Sequence, residues 1–449
     1  MNRVYMETYG CQMNAADSEL VGGILRDGGY SMTGTPEEAD VILVNTCVIR
    51  AHAARRIEGR LGVFRTLKRR RPDLVVGVLG CMAGHMRERL AGAGRMVDLV
   101  VGPDEYRKLP SLLRGAAAGE KGIAVRLSRV ETYEEIEPLR TDGISAWISV
   151  MRGCDKFCSF CVVPFTRGRE RSRPLAGIVD EVRRLASRGF REVTLLGQNV
   201  NSWRDGARDF ADLLEAAAAA APGVRIRFTT SHPRDMSDRL IQTVARHPNI
   251  CKYVHLPLQS GSDRVLERMN RGYTAAAYRE LVDRIRGGIP GVSLTTDLIA
   301  GFPGETAGDH AATLELLAEA AFDGAFTFLY SPRPGTKAWD MEDDVSPREK
   351  SRRVAEIIAL QRRISGERNR ALVGTVRRVM VDGPSRKSPL DWAGRTDDNR
   401  TVIFPRGAEQ PGEETDLMIE RANTATLFGR RVRPAGDRHQ ASSHLPEGA

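Results

Sequence analysis

Three times within the first 81 residues an apolar run of strand character ends in a cysteine: Val4 to Cys11, Val41 to Cys47 and Val75 to Cys81. The cysteines stand 36 and 34 residues apart, and the intervals contain the helix-like stretches Ser18 to Asp27 and Arg50 to Arg70. Strands that alternate with helical segments predict an α/β domain built on a parallel sheet. Each strand-helix unit returns the chain to the same edge, the carboxyl edge, where ligands gather in open α/β sheets. One buried cysteine at a strand end is ordinary core filling. Three at equivalent positions predict that Cys11, Cys47 and Cys81 converge on a metal cluster, with inert core thiols as the competing reading.

A second trio, Cys154, Cys158 and Cys161, is compressed into a single short segment. Thiolates at such spacing favour zinc or iron-sulfur clusters. No Cys or His follows in Val162 to Phe165, which matches neither a four-ligand zinc ribbon nor the ferredoxin run, whose fourth cysteine precedes a proline. A four-iron cluster on three cysteines keeps one iron without a protein ligand, open to a substrate or cofactor. The i, i+4, i+7 spacing also suits three small residues on one buried helix face. Gly153 before the run, Pro164 after it and the strand-like Trp147 to Met151 upstream favour a loop.

At 449 residues the chain exceeds one ordinary core. Texture divides it into an α/β domain over 1–118, an acidic, patternless linker over 119–142, a second α/β domain over 143–370, a small all-β domain over 371–434 and a disordered tail over 435–449. Met1 to Thr8 lacks the apolar centre of a signal peptide, and no apolar run is long enough to span a bilayer. A cytoplasmic, monomeric chain with reduced thiols and no membrane partner is expected. The net charge of +9 permits a polyanionic partner. Lys68 to Arg71 and the alternating Arg167, Arg169, Arg171 and Arg173 are candidate nucleic-acid contacts, with a solvated basic face as the alternative.

The second α/β domain has six candidate strands: Ala146 to Met151, Glu192 to Leu196, Ile226 to Thr230, Tyr253 to Leu258, Ser293 to Ala300 and Phe326 to Tyr330. Helix-like spans separate them, which predicts a parallel barrel or part-barrel with its site at the carboxyl ends. Those ends are polar or permissive: the cysteine segment itself, Gly197-Gln198-Asn199, Ser231-His232-Pro233, Gln259 to Ser262 and Gly301 to Glu305. His232 and His255 read as satisfied core or rim residues rather than ligands. Cys251 lies outside both trios and reads as a buried, inert thiol. The last domain has β-rich runs at Gly374 to Val381, Thr401 to Phe404 and Thr415 to Ile419, the texture of a small barrel often used to bind nucleic acid.

Together these motifs resemble the radical S-adenosylmethionine methylthiotransferases, most closely the MiaB type that modifies transfer RNA. The resemblance extends to about residue 434. It rests on Thr8-Tyr9-Gly10-Cys11-Gln12-Met13-Asn14 with Asp17-Ser18-Glu19, on Asn45-Thr46-Cys47, on Gly153 to Cys161 with Pro164 to Gly168, on Leu196 to Ser202, and on Tyr330 to Thr336. Gln-Met-Asn after the first cysteine is similar to the tRNA enzymes; relatives that modify a ribosomal-protein aspartate usually show Pro-Lys-Asn. Two positions depart from the pattern. Val48-Ile49-Arg50-Ala51-His52 replaces a more usual Ser-Val-Arg with charged residues, and Arg152 stands where the tRNA enzymes often have Glu.

The resemblance implies an N-terminal α/β domain, a central radical-SAM (β/α)6 part-barrel and a C-terminal all-β barrel like the TRAM domain. It implies two 4Fe-4S clusters, one on Cys11, Cys47 and Cys81 and one on Cys154, Cys158 and Cys161, with S-adenosylmethionine chelated at the open iron of the second. Cleavage to a 5′-deoxyadenosyl radical would remove hydrogen from carbon 2 of N6-(dimethylallyl)adenosine beside the anticodon. Sulfur from the first cluster, methylated by a second S-adenosylmethionine, would complete a methylthio group. Phe157 and Phe160 would shield the cluster, and Gly301 and Glu305 would lie near the cofactor. The partners implied are tRNA, met at its anticodon loop, and a reductase or other electron donor; the sulfur source is not identified. The alternatives are a methylthiotransferase for a ribosomal protein or for threonylcarbamoyladenosine tRNA, an iron-sulfur electron carrier with an RNA-binding module, and a zinc-stapled RNA-binding protein.

Overall fold

The structure, a computed structural model, describes residues 2–47, 51–85, 97–140 and 143–432. Two compact units are present, Met1–Leu360 and Gln361–Ala449, and the boundary falls within the helix Pro347–Arg370. The divergent Val48 to Arg50 and the expected tail over 435–449 lie outside the described residues.

The first unit begins with a parallel sheet of order β2-β1-β3-β4-β5-β6. Its strands are β1 (Arg3–Tyr9), β2 (Ser31–Met32), β3 (Val41–Thr46), β4 (Val75–Gly80), β5 (Leu99–Val101) and β6 (Gly122–Ala124). β3 and β4 are buried along their whole length because both faces are covered, as the pleat of β3 shows. Val41 and Leu43 pack with Leu20, Val21 and Leu25 of the helix Gln12–Asp27, while Ile42 and Val44 pack with Ile57, Leu61 and Phe64 of the helix Ala51–Arg70.

The stretch expected to be a surface linker from residue 119 is not wholly one. Gly122–Ala124 completes the sheet beside β5, and Tyr133 is buried with its hydroxyl donating to the Pro103 carbonyl at 3.0 Å. A three-residue strand carries too few side chains to register as a pattern in sequence.

The central region holds six parallel strands in two sheets. β7 (Ser145–Ser149), β10 (Glu192–Leu196) and β13 (Arg225–Thr229) form one, and β14 (Tyr253–His255), β15 (Ser293–Ala300) and β16 (Gly324–Leu329) the other. A single parallel bridge between Ile226 and Ile250 relates them, which gives an open (β/α)6 part-barrel. β8 (Met151–Arg152) with β9 (Arg171–Ser172), and β11 (Arg204–Asp205) with β12 (Arg208–Asp209), are short antiparallel pairs outside it. Four of the intervening helices start at side-chain caps: Asp209 before Phe210–Ala220, Ser237 before Asp238–Arg246, Thr274 before Ala275–Gly288 and Thr306 before Ala307–Ala320. β14 stops three residues short of the expected Leu258, because Pro257 has no N–H to give to a ladder.

In the second unit β17 (Val376–Ser385), β18 (Ser388–Thr396), β19 (Thr401–Pro405), β20 (Glu414–Ala422) and β21 (Thr426–Arg431) close a barrel of order β17-β18-β19-β21-β20. Val379, Val381, Trp392, Val402, Phe404, Leu417, Ile419 and Leu427 fill it. β18 and β21 were not legible, since Ser-Pro-Leu-Asp-Trp-Ala-Gly-Arg-Thr and Thr-Leu-Phe-Gly-Arg-Arg contain few β-branched residues. Among the described residues no helix is long and apolar enough to cross a membrane.

Candidate active site

β1, β3 and β4 are neighbours in register, with Tyr9 opposite Thr46 and Thr46 opposite Gly80. Cys47 and Cys81 therefore leave the sheet at one level, and Cys11 follows one residue later. Gly10 makes this closeness possible: its φ is +149°, and a Cβ there would stand 2.7 Å from Cβ of Cys47. Two asparagines lock the strand ends together. Asn14 donates from Nδ2 to Asn45 Oδ1 and to the Thr46 carbonyl, both at 3.1 Å, while Asn45 donates to the Asn14 carbonyl at 2.8 Å and to Ser18 Oγ at 2.9 Å. The Cys11 thiol donates to Asn14 Oδ1 at 3.4 Å, and its hydrogen bond with Cys47 lowers its pKa. Cys47 and Cys81 are buried, and Cys11 is exposed at the rim.

Cys81 opens the helix Cys81–His85, which packs on the helix Val163–Thr166 directly after the second trio, so that Cys81 touches Val162. Arg167 continues from that helix and donates from Nε to Cys81 Sγ at 3.1 Å. Its Nη2 reaches Asp17 Oδ2 at 2.6 Å, and Asp17 Oδ1 receives Arg152 at 3.0 Å. All three charged groups are buried. Burial raises the pKa of the Cys81 thiol, with the Arg167 charge opposing.

The second trio occupies an irregular loop, as the sequence favoured. Gly153 has φ of +82°, and a Cβ there would lie 2.0 Å from the Arg169 carbonyl oxygen. The Cys154 N–H donates to the Gly168 carbonyl at 3.2 Å and the Cys161 N–H to the Cys158 carbonyl at 3.0 Å. Ser159 ties the loop to the barrel, through its N–H to the Met269 carbonyl at 3.0 Å and its hydroxyl to the Arg268 carbonyl at 2.8 Å. Arg271 donates from Nη1 to Cys158 Sγ at 3.3 Å. Burial pushes the Cys154 and Cys161 thiols up to about 12, so metal capture there must displace protons at neutral pH. Phe160 packs with Val265, Met269, Phe302 and Tyr330, whereas Phe157 meets the edge of Phe165 and lies under the Arg169 guanidinium.

The carboxyl ends of the barrel strands present buried polar atoms with no hydrogen-bond partner: Gln198 Nε2, Asn199 Oδ1, Ser231 Oγ, His232 Nε2 and Gln259 Oε1. Such atoms are costly unless a ligand or water satisfies them. Burial, reinforced by the charges of Arg271, Lys156 and Arg234, lowers the His232 pKa to about 2 and keeps the ring neutral. His255 is satisfied at the rim, with Thr295 Oγ1 at 2.9 Å from Nδ1 and Asp297 at 3.5 Å from Nε2. Cys251 is buried just before the amino end of β14, where its N–H donates to the Ile226 carbonyl at 2.9 Å. Glu305 is engaged within its own loop: one oxygen accepts the N–H of Gly301 at 3.1 Å, and the other pairs with Arg353 at 2.7 Å.

The alternating run is neither a solvated stripe nor a set of free contacts. Arg171 makes two bonds to Asp104, at 2.8 and 3.0 Å, and Arg173 pairs with Glu181 at 2.9 Å. With Arg167 they cross the interior, and of the four only Arg169 is exposed, paired with Asp155 at 2.6 Å. In the earlier block Lys68 pairs with Asp98 and Arg71 donates to the Glu37 carbonyl at 2.7 Å, leaving Arg69 and Arg70 exposed. The acceptors lie outside the run, Asp104 being 67 residues from Arg171, so alternation alone could not reveal the pairing. Arg271 had no sequence signal: it stands in Asn270-Arg271-Gly272, which reads as a turn.

Among the described residues no three His, Cys, Asp or Glu side chains converge as tightly as a single metal ion requires. Each trio offers soft donors on a rigid base, a set that suits the corners of an iron-sulfur body and lacks the fourth ligand of structural zinc. The orphaned polar atoms at the barrel mouth fit a polar cofactor beside the second trio.

Three family patterns match the chain. The pattern described as uncharacterized protein family UPF0004 matches residues 3–102, the Radical SAM superfamily matches residues 148–317 and the TRAM domain matches residues 370–432. A tRNA-2-methylthio-N(6)-dimethylallyladenosine synthase of Chloroherpeton thalassium is 51% identical, over 95% of this chain and 95% of that protein. One of Bacteroides thetaiotaomicron is 49% identical over 96% of each. Among solved structures the fold is similar to the radical S-adenosylmethionine methyltransferase TsrM of Kitasatospora setae, with a TM-score of 0.59 over 75% of this chain and 77% of that one at 19% identity. With near full-length identity of this order, the chain belongs to the family of tRNA-2-methylthio-N(6)-dimethylallyladenosine synthases.

Proposed function

We propose that the chain is a tRNA methylthiotransferase that places sulfur and a methyl group on carbon 2 of N6-(dimethylallyl)adenosine beside the anticodon. The observation that supports it most is the junction of the trios, where the helix opened by Cys81 packs against the helix that follows Cys161 and Arg167 ties the two together. Cys11, Cys47 and Cys81 would hold one 4Fe-4S cluster, and Cys154, Cys158 and Cys161 a second one joined to S-adenosylmethionine. When bound, these groups supply radical chemistry at an unactivated ring carbon, together with the sulfur and the methyl group.

The chain's own residues bind, orient and exclude water. Gln198, Asn199, Ser231, His232 and Gln259 offer hydrogen bonds to the polar parts of S-adenosylmethionine, and neutral His232 does so without adding charge. Phe160 seals one side of the Cys154–Cys161 loop against water. Gly301 and Glu305 act by shaping the loop that Arg353 clamps, which we place beside the cofactor. The Gln361–Ala449 unit would grip tRNA, whose single-stranded anticodon loop can offer a base without opening a duplex. A reductase or other electron donor and a sulfur source complete the reaction.

The test is anaerobic reconstitution with iron and sulfide, then incubation with S-adenosylmethionine, dithionite and isopentenylated tRNA. Formation of 5′-deoxyadenosine together with a methylthiolated nucleoside is expected. Two clusters without cleavage of S-adenosylmethionine would mark an electron carrier, and equal activity on tRNA lacking the isopentenyl group would remove the assigned substrate.

A further inference from the structure

We propose that Arg271 is the built-in counter-charge of the cluster on Cys154, Cys158 and Cys161 and raises its reduction potential. The other buried arginines near the trios, Arg152, Arg167, Arg171 and Arg173, each meet a carboxylate. Arg271 does not. Only 5% exposed, it donates from Nη2 to the Pro257 carbonyl at 2.9 Å, from Nε to the Tyr273 hydroxyl at 2.9 Å and from Nη1 to Cys158 Sγ at 3.3 Å, with its guanidinium 5.3 Å from the Tyr273 ring centre. Among the described residues no Asp or Glu pairs with it. A buried guanidinium cannot shed its proton and is expensive without an anion. Cys158, as a thiolate on a cluster, is the anion within reach.

The consequence is electrostatic. Reduction adds one electron and no proton to the cluster, so the site becomes one unit more negative. A fixed cation with a hydrogen bond on a ligand sulfur favours the reduced form. Arg271 is a positioning residue in this sense: it acts through Cys158. The neighbouring Tyr273 hydroxyl does not take its place on the sulfur, because it receives Nε of Arg271 and is itself turned to the Pro257 and Leu258 carbonyls at 3.2 and 2.9 Å.

This role rests on the cluster assignment above, and the experiment separates the two. The full-length chain with Cys11, Cys47 and Cys81 changed to Ala is reconstituted anaerobically, and the remaining cluster is titrated with dithionite as the reductant while paramagnetic resonance reports the reduced form. Arg271, R271K, R271Q and R271M are compared. Equal iron content is expected throughout, with the midpoint potential lowered in the Gln and Met forms and the Lys form closer to the parent than Gln. Unchanged potentials across iron-loaded forms, or a Lys form displaced as far as Gln, would overturn the role of Arg271 alone. Absence of iron in the parent would overturn the cluster assignment and this proposal together. Should the Met form not fold, Gln and Lys carry the comparison.

Discussion

Arg152 and Asp17, 135 positions apart in the chain, are joined at 3.0 Å between Nη1 and Oδ1, and the second oxygen of Asp17 takes Arg167 at 2.6 Å. One buried carboxylate thus serves two guanidiniums. The Asp17→Asn variant would leave two interior cations short of a counter-charge, a loss of about 3–5 kcal/mol by analogy with broken buried pairs. Chemical denaturation should show that drop, and the substitution should also loosen Arg167 from Cys81 and lower iron retention at the first trio.

Each cysteine of the first trio should be separately necessary. Replacement of Cys11, Cys47 or Cys81 by Ala is expected to remove roughly half of the reconstituted iron, since one of two clusters is lost. Cys251→Ala should keep all of it, because Cys251 lies just before the amino end of β14, and the trios follow the carboxyl ends of strands. Iron and sulfide analysis of the four variants decides this.

Gly153→Ala tests the loop. The new methyl would lie 2.0 Å from the Arg169 carbonyl oxygen, at a φ of +82° that side chains avoid. Loss of the second cluster's absorbance is expected while that of the first persists.

Glu19 gives a pH signature. Burial raises its pKa to about 6 from an ordinary 4.5, against the pull of Arg140. Between those values the unfolded chain has released the proton that the folded chain still holds. Stability from this group is therefore fully present below pH 4.5 and is lost as pH rises through 6, by about 2 kcal/mol. The stability difference between the parent and Glu19→Gln should shrink or reverse by that amount from pH 4.5 to pH 6.5, measured by denaturation of both.

The strand-end cysteines were legible because Val41 to Val44 and Val75 to Leu79 are unbroken apolar runs, as central parallel strands favour, and each is followed within three residues by a thiol. The Cys154 to Cys161 loop was legible from its glycine and proline boundaries. What escaped were relations between distant residues. Arg171 looks like a surface cation until Asp104 is brought beside it, and Asn45 gives no hint in sequence that it will pin Asn14. The departure at Arg152 acquires its meaning only once Asp17 is found against it.

The two trios also differ in when they can come into being. Cys154, Cys158 and Cys161 are within reach of one another in a chain that has barely begun to fold, whereas Cys11, Cys47 and Cys81 meet only after three strands have zipped into alignment. Iron supplied during refolding should load the local trio early and the dispersed trio late, with loop closure as the delay. Simultaneous filling in a stopped-time iron assay would contradict that succession. Biogenesis of the protein thus has a clock written into the spacing of its sulfurs.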